Sequence, residues 1–190
     1  MLLESGLEFE LVLSKVGKFT EEFLKLNPKG RVPVLAMDDE IITEMPAILT
    51  AISSLVPDRK FMGRTALETV RVYEWLNYLS GVLHGQGYAG LWRPERFVDD
   101  PKLFPALKAR AAETIKQCYA FIETKFVAAG TTHAVGNSFT AVDAFLLVLY
   151  RWSSIPALNL DMTVYPCLSE WADRVSQIES VIGALKAHAT

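Results

Sequence analysis

The first 60 residues alternate short apolar runs with turn-forming residues. Three segments have the alternating or compact apolar pattern of short strands, and Asp38 and Asp39 form a turn between the second and the third. Short helices are predicted before, between and after them, and they begin or end at Gly6, Thr20 and Pro46. The predicted strands cover residues 8–13, 32–37 and 40–42, and the helices cover residues 2–6, 20–26 and 46–55.

The pattern changes after about residue 60, where apolar residues recur three or four positions apart, as in amphipathic helices. The segment at residues 140–152 is nearly all apolar, which predicts a buried central helix. A small α/β unit at residues 1–58 and an all-helical unit at residues 59–190 are therefore expected. The predicted helices cover residues 65–84, 105–127, 140–152, 168–175 and 180–187.

Composition narrows the classes of function. The formal net charge is −3 and the basic residues are scattered, so neither nucleic acid nor an anionic membrane surface is an expected partner. No apolar run approaches the length of about 20 residues that spans a bilayer, and no signal peptide is visible. Cys118 and Cys167 are far apart, which favours two reduced thiols but leaves one disulfide open. We expect a cytoplasmic protein.

The first candidate site is the segment NPKGRVPVL, residues 27–35. Pro33 follows directly after the start of the predicted strand, where it cannot donate to a ladder. A cis bond between Val32 and Pro33 would leave the N–H and C=O of Val32 free to pair with an extended peptide. The same residues also fit a plain turn that enters a strand.

The second candidate site is TEMPAI, residues 43–48, at the entrance to a helix. Exposed N–H groups at such an entrance attract a carboxylate, and Glu44 could hold an ammonium group. Together they would bind both ends of an amino acid. Alternatively, Glu44 only interacts favourably with the helix dipole. One predicted hairpin separates Pro33 from Glu44, so both can line one end of the sheet.

These two segments together resemble the glutathione-binding half of a glutathione transferase. The resemblance implies a thioredoxin-like α/β domain followed by an all-α domain. It implies that Val32, before a cis Pro33, pairs with the cysteinyl backbone of glutathione, and that Glu44 holds the γ-glutamyl group. Arg31 is a plausible neighbour of the ligand. Met45 departs from the common pattern because it lacks the hydroxyl that helps to bind the γ-glutamyl carboxylate, and only its backbone N–H remains.

The segment WLNYLSGVLH, residues 75–84, contains Asn77 and His84. They are seven residues apart, about two turns of an α-helix, so we expect them to share a face. A helical histidine can equally be a structural residue. The segment resembles the bacterial beta class, and this resemblance implies that Asn77 and His84 assist catalysis near the glutathione sulfur, with His84 tuning the thiol.

The segment GNSFTAVD, residues 136–143, contains a structural candidate. Thr140 and Asp143 can form a reciprocal cap at the start of a helix. It resembles the folding signature of the family's helical domain, and no catalytic role is expected for it.

The family begins with a strand, then a loop that bears a tyrosine, serine or cysteine, and then the first helix. We expect this chain to begin inside that helix, so none of its residues matches the primary catalytic position. Three explanations stay open: the chain is shortened, another segment or subunit fills the place, or the protein has diverged to another role. Cys118 and Cys167 lie in the helical unit and are not given the catalytic role.

The resemblance implies a transferase that conjugates the thiol of reduced glutathione to small hydrophobic electrophiles, as a homodimer and without a metal. Tyr88, Trp92 and Trp152 are loose candidates for the walls of an apolar cleft that holds the electrophile. A non-catalytic glutathione- or protein-binding scaffold of the same fold is one alternative. A glutathione-dependent isomerase or disulfide reductase is another.

Overall fold

The computed structural model describes residues 1–14, 17–158 and 160–189. The amino-terminal part contains helix α1 (Leu2–Ser5), helix α2 (Glu21–Leu26), strands β1 (Val34–Met37) and β2 (Glu40–Thr43), and helix α3 (Met45–Leu55). The remainder contains helices α4 (Ala66–Tyr78), a π-helix (Leu79–Tyr88), α5 (Ala89–Trp92), α6 (Phe104–Ala129), α7 (Ala141–Trp152), α8 (Pro166–Ser176) and α9 (Glu179–Ala189). Short 3-10 turns lie at Pro57–Arg59, Pro94–Arg96, Pro101–Leu103, Pro156–Leu158 and Met162–Val164.

Helix boundaries in the amino-terminal part follow the predicted start and stop signals. Gly6 ends α1 in the left-handed conformation, with φ of 75°. The hydroxyl of Thr20 accepts a hydrogen bond from the N–H of Phe23 and so caps α2. The carboxylates of Glu21 and Glu22 lie in the first turn of α2, where the helix dipole favours negative charge.

The segment 8–13 does not form the strand that its alternation predicted. Its apolar side chains are exposed instead, to 63% at Leu11 and 81% at Leu13. A strand requires a neighbour to pair its N–H and C=O groups. In the part of the chain that the structure describes, β1 and β2 pair only with each other. The strand prediction for residues 8–13 was wrong, because a local alternation carries no information about whether a neighbouring strand is present, and none lies beside this segment among the described residues.

The two strands form an antiparallel hairpin with Asp38 in its turn, at φ of 52°. The pairing sets Val34 opposite Thr43 and Met37 opposite Glu40. β1 begins two residues later than predicted, after Pro33. This register brings the start of β1 beside the end of β2, which is also the entrance to α3.

The hydrophobic core lies in the helical part. Its largest fully buried side chains come from α4, the π-helix, α6, α7 and α8. Each buried leucine or isoleucine contributes about 1.5–3 kcal/mol relative to an exposed one, so this core supplies much of the driving force for folding. Ile48, Leu49 and Ile52 on α3 are also buried, which attaches the α/β part to the helices.

Helix α4 continues without interruption into the π-helix and α5, so the helical run extends beyond residue 84 to Trp92. The N–H of Ala89 donates to the carbonyl of His84, five residues earlier, as in a π-helix. Gly87 faces α6 here, and a Cβ at this position would lie 2.7 Å from Cγ1 of Ile115. A larger residue at this position would require the Ile115 side chain or the backbone to shift.

A buried carboxylate organises the start of α7. Asp143 is fully buried and accepts hydrogen bonds from the N–H of Thr140 at 2.8 Å and its hydroxyl at 3.0 Å. It also accepts from the N–H of Ala134 at 3.0 Å and from Nε1 of Trp171 at 2.8 Å. Thr140 and Asp143 therefore form the capping box, which also joins α7 to α8 and to the preceding loop.

Among the described residues, every helix falls short of the length and hydrophobicity that crossing a bilayer requires. Cys118 and Cys167 are both free thiols, as the sequence favoured.

Replacing Thr140 by alanine should lower the free energy of unfolding by about 1 kcal/mol, and at most by about 2 kcal/mol, because the helix loses its capping hydroxyl. Denaturant unfolding followed by circular dichroism measures this change. Thr114→Ala removes a hydroxyl that only bonds a carbonyl within α6, so it should change the stability by less than about 0.5 kcal/mol. Equal stability of the wild type and Thr140→Ala would refute the capping role.

Candidate functional site

The segment 27–33 forms one side of the candidate site. The Val32–Pro33 bond is cis, as predicted. Among the described residues, neither the N–H nor the C=O of Val32 has a hydrogen-bond partner, and the residue is 39% exposed. Both groups are free to pair with an extended peptide.

Asn27 fixes the conformation of this loop. It is buried to 2% exposure, and its Nδ2 donates to the carbonyl of Arg31 at 2.7 Å. Its Oδ1 accepts from the N–H of Lys29 at 3.3 Å, and its carbonyl accepts from the N–H of Gly30 at 3.0 Å. Sequence reasoning gave Asn27 no role, although the residue stands at the head of the motif; its burial was the missing information.

Glu44 forms the opposite side of the site, at the start of α3. Its φ is 71°, a conformation that non-glycine residues rarely adopt. Such strained residues often occur at functional sites, where the surrounding structure holds them. No side chain caps α3, and Pro46 has no N–H to offer. The N–H of Met45 consequently belongs to an open helix entrance that can attract a carboxylate.

Lys29 pairs with Glu44 across the site. Its Nζ lies 2.6 Å from Oε1 of Glu44 and 2.6 Å from Oγ1 of Thr43. The Lys29 hydrogen bond lowers the pKa of the Glu44 carboxyl below its ordinary value, and the charges of Arg31 and His84 act in the same direction. Glu44 is therefore an anion at neutral pH. The role of Lys29 was missed from the sequence because contacts between distant loop positions leave no periodic signal.

Arg31 is exposed, and within the part of the chain that the structure describes its guanidinium group forms no ion pair or hydrogen bond, although its carbonyl accepts from Asn27. Its charge nevertheless influences both Glu44 and His84. The structure thus brings Arg31, Glu44 and His84 into one electrostatic neighbourhood. The guanidinium group of Arg31 could therefore pair with a carboxylate of a bound ligand.

His84 lies on the π-helix and is partly buried, with its ring centroid 5.8 Å from that of Trp152. Burial lowers the pKa of its imidazole, and the charges of Arg31 and Arg96 lower it further, whereas Glu44 opposes them. The ring is consequently neutral at pH 7. A neutral imidazole can accept a proton or a hydrogen bond from a thiol.

Asn77 does not share a face with His84 in the way the sequence predicted. Asn77 is exposed, and its Nδ2 donates to the carbonyl of Tyr73 on its own helix at 2.8 Å. The expectation assumed α-helical winding throughout residues 77–84. The π-helix that begins at Leu79 has more residues per turn, so the phase between the two positions changes. An assisting role of Asn77 beside His84 stays a prediction.

An aromatic cluster of Tyr88, Trp92 and Trp152 lies beside His84. The ring centroids of Trp92 and Trp152 are 4.8 Å apart, and those of Tyr88 and Trp152 are 5.2 Å apart. Tyr88 is fully buried, and its hydroxyl donates to the carbonyl of Leu149, so it supports the cluster from within. Trp92, at 39% exposure, and the partly buried Trp152 can meet a ligand.

An apolar groove lies elsewhere. It encloses about 300 Å³, and Leu11, Phe139, Leu147 and Leu185 are among the side chains that line it. None of the predicted site residues borders it. In residues 1–14, 17–158 and 160–189, no group of three or more histidine, cysteine, aspartate or glutamate side chains is placed to hold a metal ion.

Comparisons with known proteins identify the family. Residues 1–55 match the glutathione S-transferase amino-terminal domain, and residues 100–179 match the carboxy-terminal domain. A sphingomonad glutathione S-transferase solved with glutathione is 31% identical, with a TM-score of 0.83, and the alignment covers 99% of this chain and 90% of that one. The chain belongs to the glutathione S-transferase family.

Two further relatives agree with this assignment. The glutathione S-transferase GstA of Escherichia coli O157:H7 is 29% identical over 98% of this chain and 90% of that protein. The bacterial beta class glutathione S-transferase of Sphingomonas chungbukensis is 29% identical, with a TM-score of 0.82, over 98% of this chain and 90% of that chain. The thioredoxin-like amino-terminal domain and the helical carboxy-terminal domain of glutathione transferases are thus confirmed.

We predict that His84 titrates below pH 6.5. The unfolded chain then binds more protons than the native state as pH falls below 6.5, so the free energy of unfolding should rise with pH across that window. NMR titration of the His84 ring measures the pKa, and urea unfolding at a series of pH values measures the stability. The dependence should be weaker in His84→Gln. A ring pKa at or above 6.5 would contradict this prediction.

Proposed function

We propose that this protein binds reduced glutathione and conjugates it, through its thiol sulfur, to a small hydrophobic electrophile. The observation that carries the proposal is the placement of two open recognition groups at one end of the hairpin. The free backbone groups of Val32 match the cysteinyl peptide unit, and Glu44 with the N–H of Met45 matches the γ-glutamyl end.

Each end of the ligand has a counterpart in this arrangement. The α-ammonium group pairs with the carboxylate of Glu44, and the α-carboxylate accepts from the N–H of Met45 at the entrance to α3. Arg31 supplies an exposed cation that attracts the carboxylate at the glycyl end. The missing hydroxyl at Met45 then leaves one hydrogen bond fewer, which is consistent with weaker but retained binding.

In the transfer step the glutathione thiolate attacks an electrophilic carbon, a carbon–sulfur bond forms, and the leaving group departs with its electron pair. The neutral imidazole of His84 assists by accepting a hydrogen bond or a proton from the thiol. Asn77 stays an assisting candidate. Burial raises the pKa of the Cys118 thiol, which is the opposite of an activated nucleophile.

The second substrate lies against Trp92 and Trp152 in this proposal, since these rings are accessible beside His84. The protein acts as a homodimer. Exposed apolar side chains on α4 and α6 support this, among them Leu67 and Val70 at 65% and 60% exposure and Phe121 at 44%. A cytoplasmic location agrees with the two free cysteines.

Calorimetric titration of reduced glutathione into the protein tests the proposal. We expect a dissociation constant between micromolar and low millimolar. A screen with halogenated aromatic electrophiles, conjugated dienes and mixed disulfides then separates conjugation from isomerase or reductase activity. A folded protein that binds no glutathione would contradict the proposal and favour a scaffold role.

Glu44→Ala should weaken glutathione binding about tenfold or more, because a hydrogen bond to a charged group contributes about 1.5–3 kcal/mol. Calorimetry of the variant measures the change. Glu40→Ala removes a carboxylate from the same hairpin, opposite Met37, and should bind like the wild type. If Glu44→Ala kept the wild-type affinity, Glu44 would not be part of the site.

A further inference from the structure

The ammonium group of Lys29 contacts the carboxylate of Glu44, which is the group that we propose binds the α-ammonium group of glutathione. Its Nζ is 2.6 Å from Oε1 of Glu44, and it donates at the same distance to Oγ1 of Thr43. An alkylammonium group with three donors is chemically the same group as the α-ammonium of an amino acid. In the free protein, Lys29 therefore satisfies Glu44 in the way that the ligand would.

The loop holds Lys29 in place for this contact. Asn27, buried beneath it, accepts from the N–H of Lys29 at 3.3 Å and ties the loop to the carbonyl of Arg31. Because β1 and β2 are paired with Val34 opposite Thr43, the end of β2 lies within reach of the lysine side chain. The contact thus spans the two halves of the candidate site.

We propose that Lys29 is a specificity-determining residue that competes with the α-ammonium group of the ligand for Glu44. Each binding event exchanges one ammonium group for another on this carboxylate. The inference rests on the proposed function, and it adds that glutathione affinity is set by the exchange as well as by direct contacts.

The expected size of the effect follows from exposure. The side chains of Lys29 and Glu44 are 48% and 62% exposed, so the pair is screened by solvent and its loss on ligand binding has a modest cost. If Lys29 stays beside Glu44 after binding, repulsion between its ammonium group and that of the ligand also weakens glutathione binding. Removing the lysine charge should therefore tighten glutathione binding about two- to fivefold.

An increase in glutathione affinity on removal of the Lys29 charge would distinguish competition from a general electrostatic effect. Glutathione carries one more carboxylate than ammonium, so removing a nearby cation would ordinarily weaken its binding. Removing the lysine is expected to tighten glutathione binding only if the lysine competes with the ligand's ammonium group for Glu44. A ligand without the α-ammonium group does not require the exchange, and for it Lys29→Met should bind no tighter than the wild type.

The experiment is calorimetric titration with two ligands, reduced glutathione and its analogue γ-glutaryl-cysteinylglycine, in which hydrogen replaces the α-ammonium group. Lys29→Met should bind glutathione about two- to fivefold tighter than the wild type and the analogue equally or more weakly. Lys29→Arg keeps the cation and should restore wild-type affinity. Lys25→Met removes a charge from the last turn of α2 and should change neither affinity.

Three other results would contradict the competition or the proposed function. Unchanged or weaker glutathione binding by Lys29→Met, with a wild type that binds, would overturn the competition and leave the proposed function intact. Equal tightening for both ligands would show that the lysine does not act through the ammonium position. Absence of glutathione binding by the wild type and all three folded variants would remove the proposed function itself, and the competition with it.

Discussion

The helical part of the molecule depends on one buried carboxylate. Asp143 carries no exposed surface and accepts from four donors, which belong to the start of α7, the loop before it and the indole of Trp171 on α8. A buried carboxylate is stable only when its hydrogen-bonding capacity is used, so all of these donors must be in place in the folded core. The three segments are thereby fixed relative to each other, and the leucine-rich faces of the surrounding helices pack around them.

The amino-terminal part depends instead on the register of a short hairpin. Pairing of Val34 with Thr43 sets the open backbone of Val32 beside the entrance to α3. A shift by one residue would turn every side chain of β2 to the other face and separate these groups. The buried Asn27 stabilises the same arrangement from the loop side. Scaffold and recognition groups are consequently parts of one small unit.

The charged side chains at the candidate site determine which ligand it can bind. A single carboxylate, Glu44, lies among Lys29, Arg31 and His84, and the influence of these groups on one another extends over both domains. Lys29 and Arg31 favour the ionised carboxylate of Glu44, while burial favours the neutral imidazole of His84. A zwitterionic peptide ligand meets an anion, an open helix entrance and a cation. This set of charges suits glutathione, in agreement with the family to which the chain belongs.

The sequence by itself predicted the hairpin and the approximate position of most helices, because caps, turns and periodicity are local signals. The cis bond before Pro33 and the family followed from the resemblance, because the motif residues are contiguous. The sequence also indicated the capping pair of Thr140 and Asp143, which are only three residues apart. Tertiary structure decided what depends on distant partners. Residues 8–13 alternate like a strand but find no neighbour among the described residues. Asn77 and His84 have α-helical spacing, but close packing of Gly87 against Ile115 accompanies a π-helix that changes their phase. The pairing of Lys29 with Glu44 joins residues 15 positions apart, and only the folded hairpin brings their charges into contact.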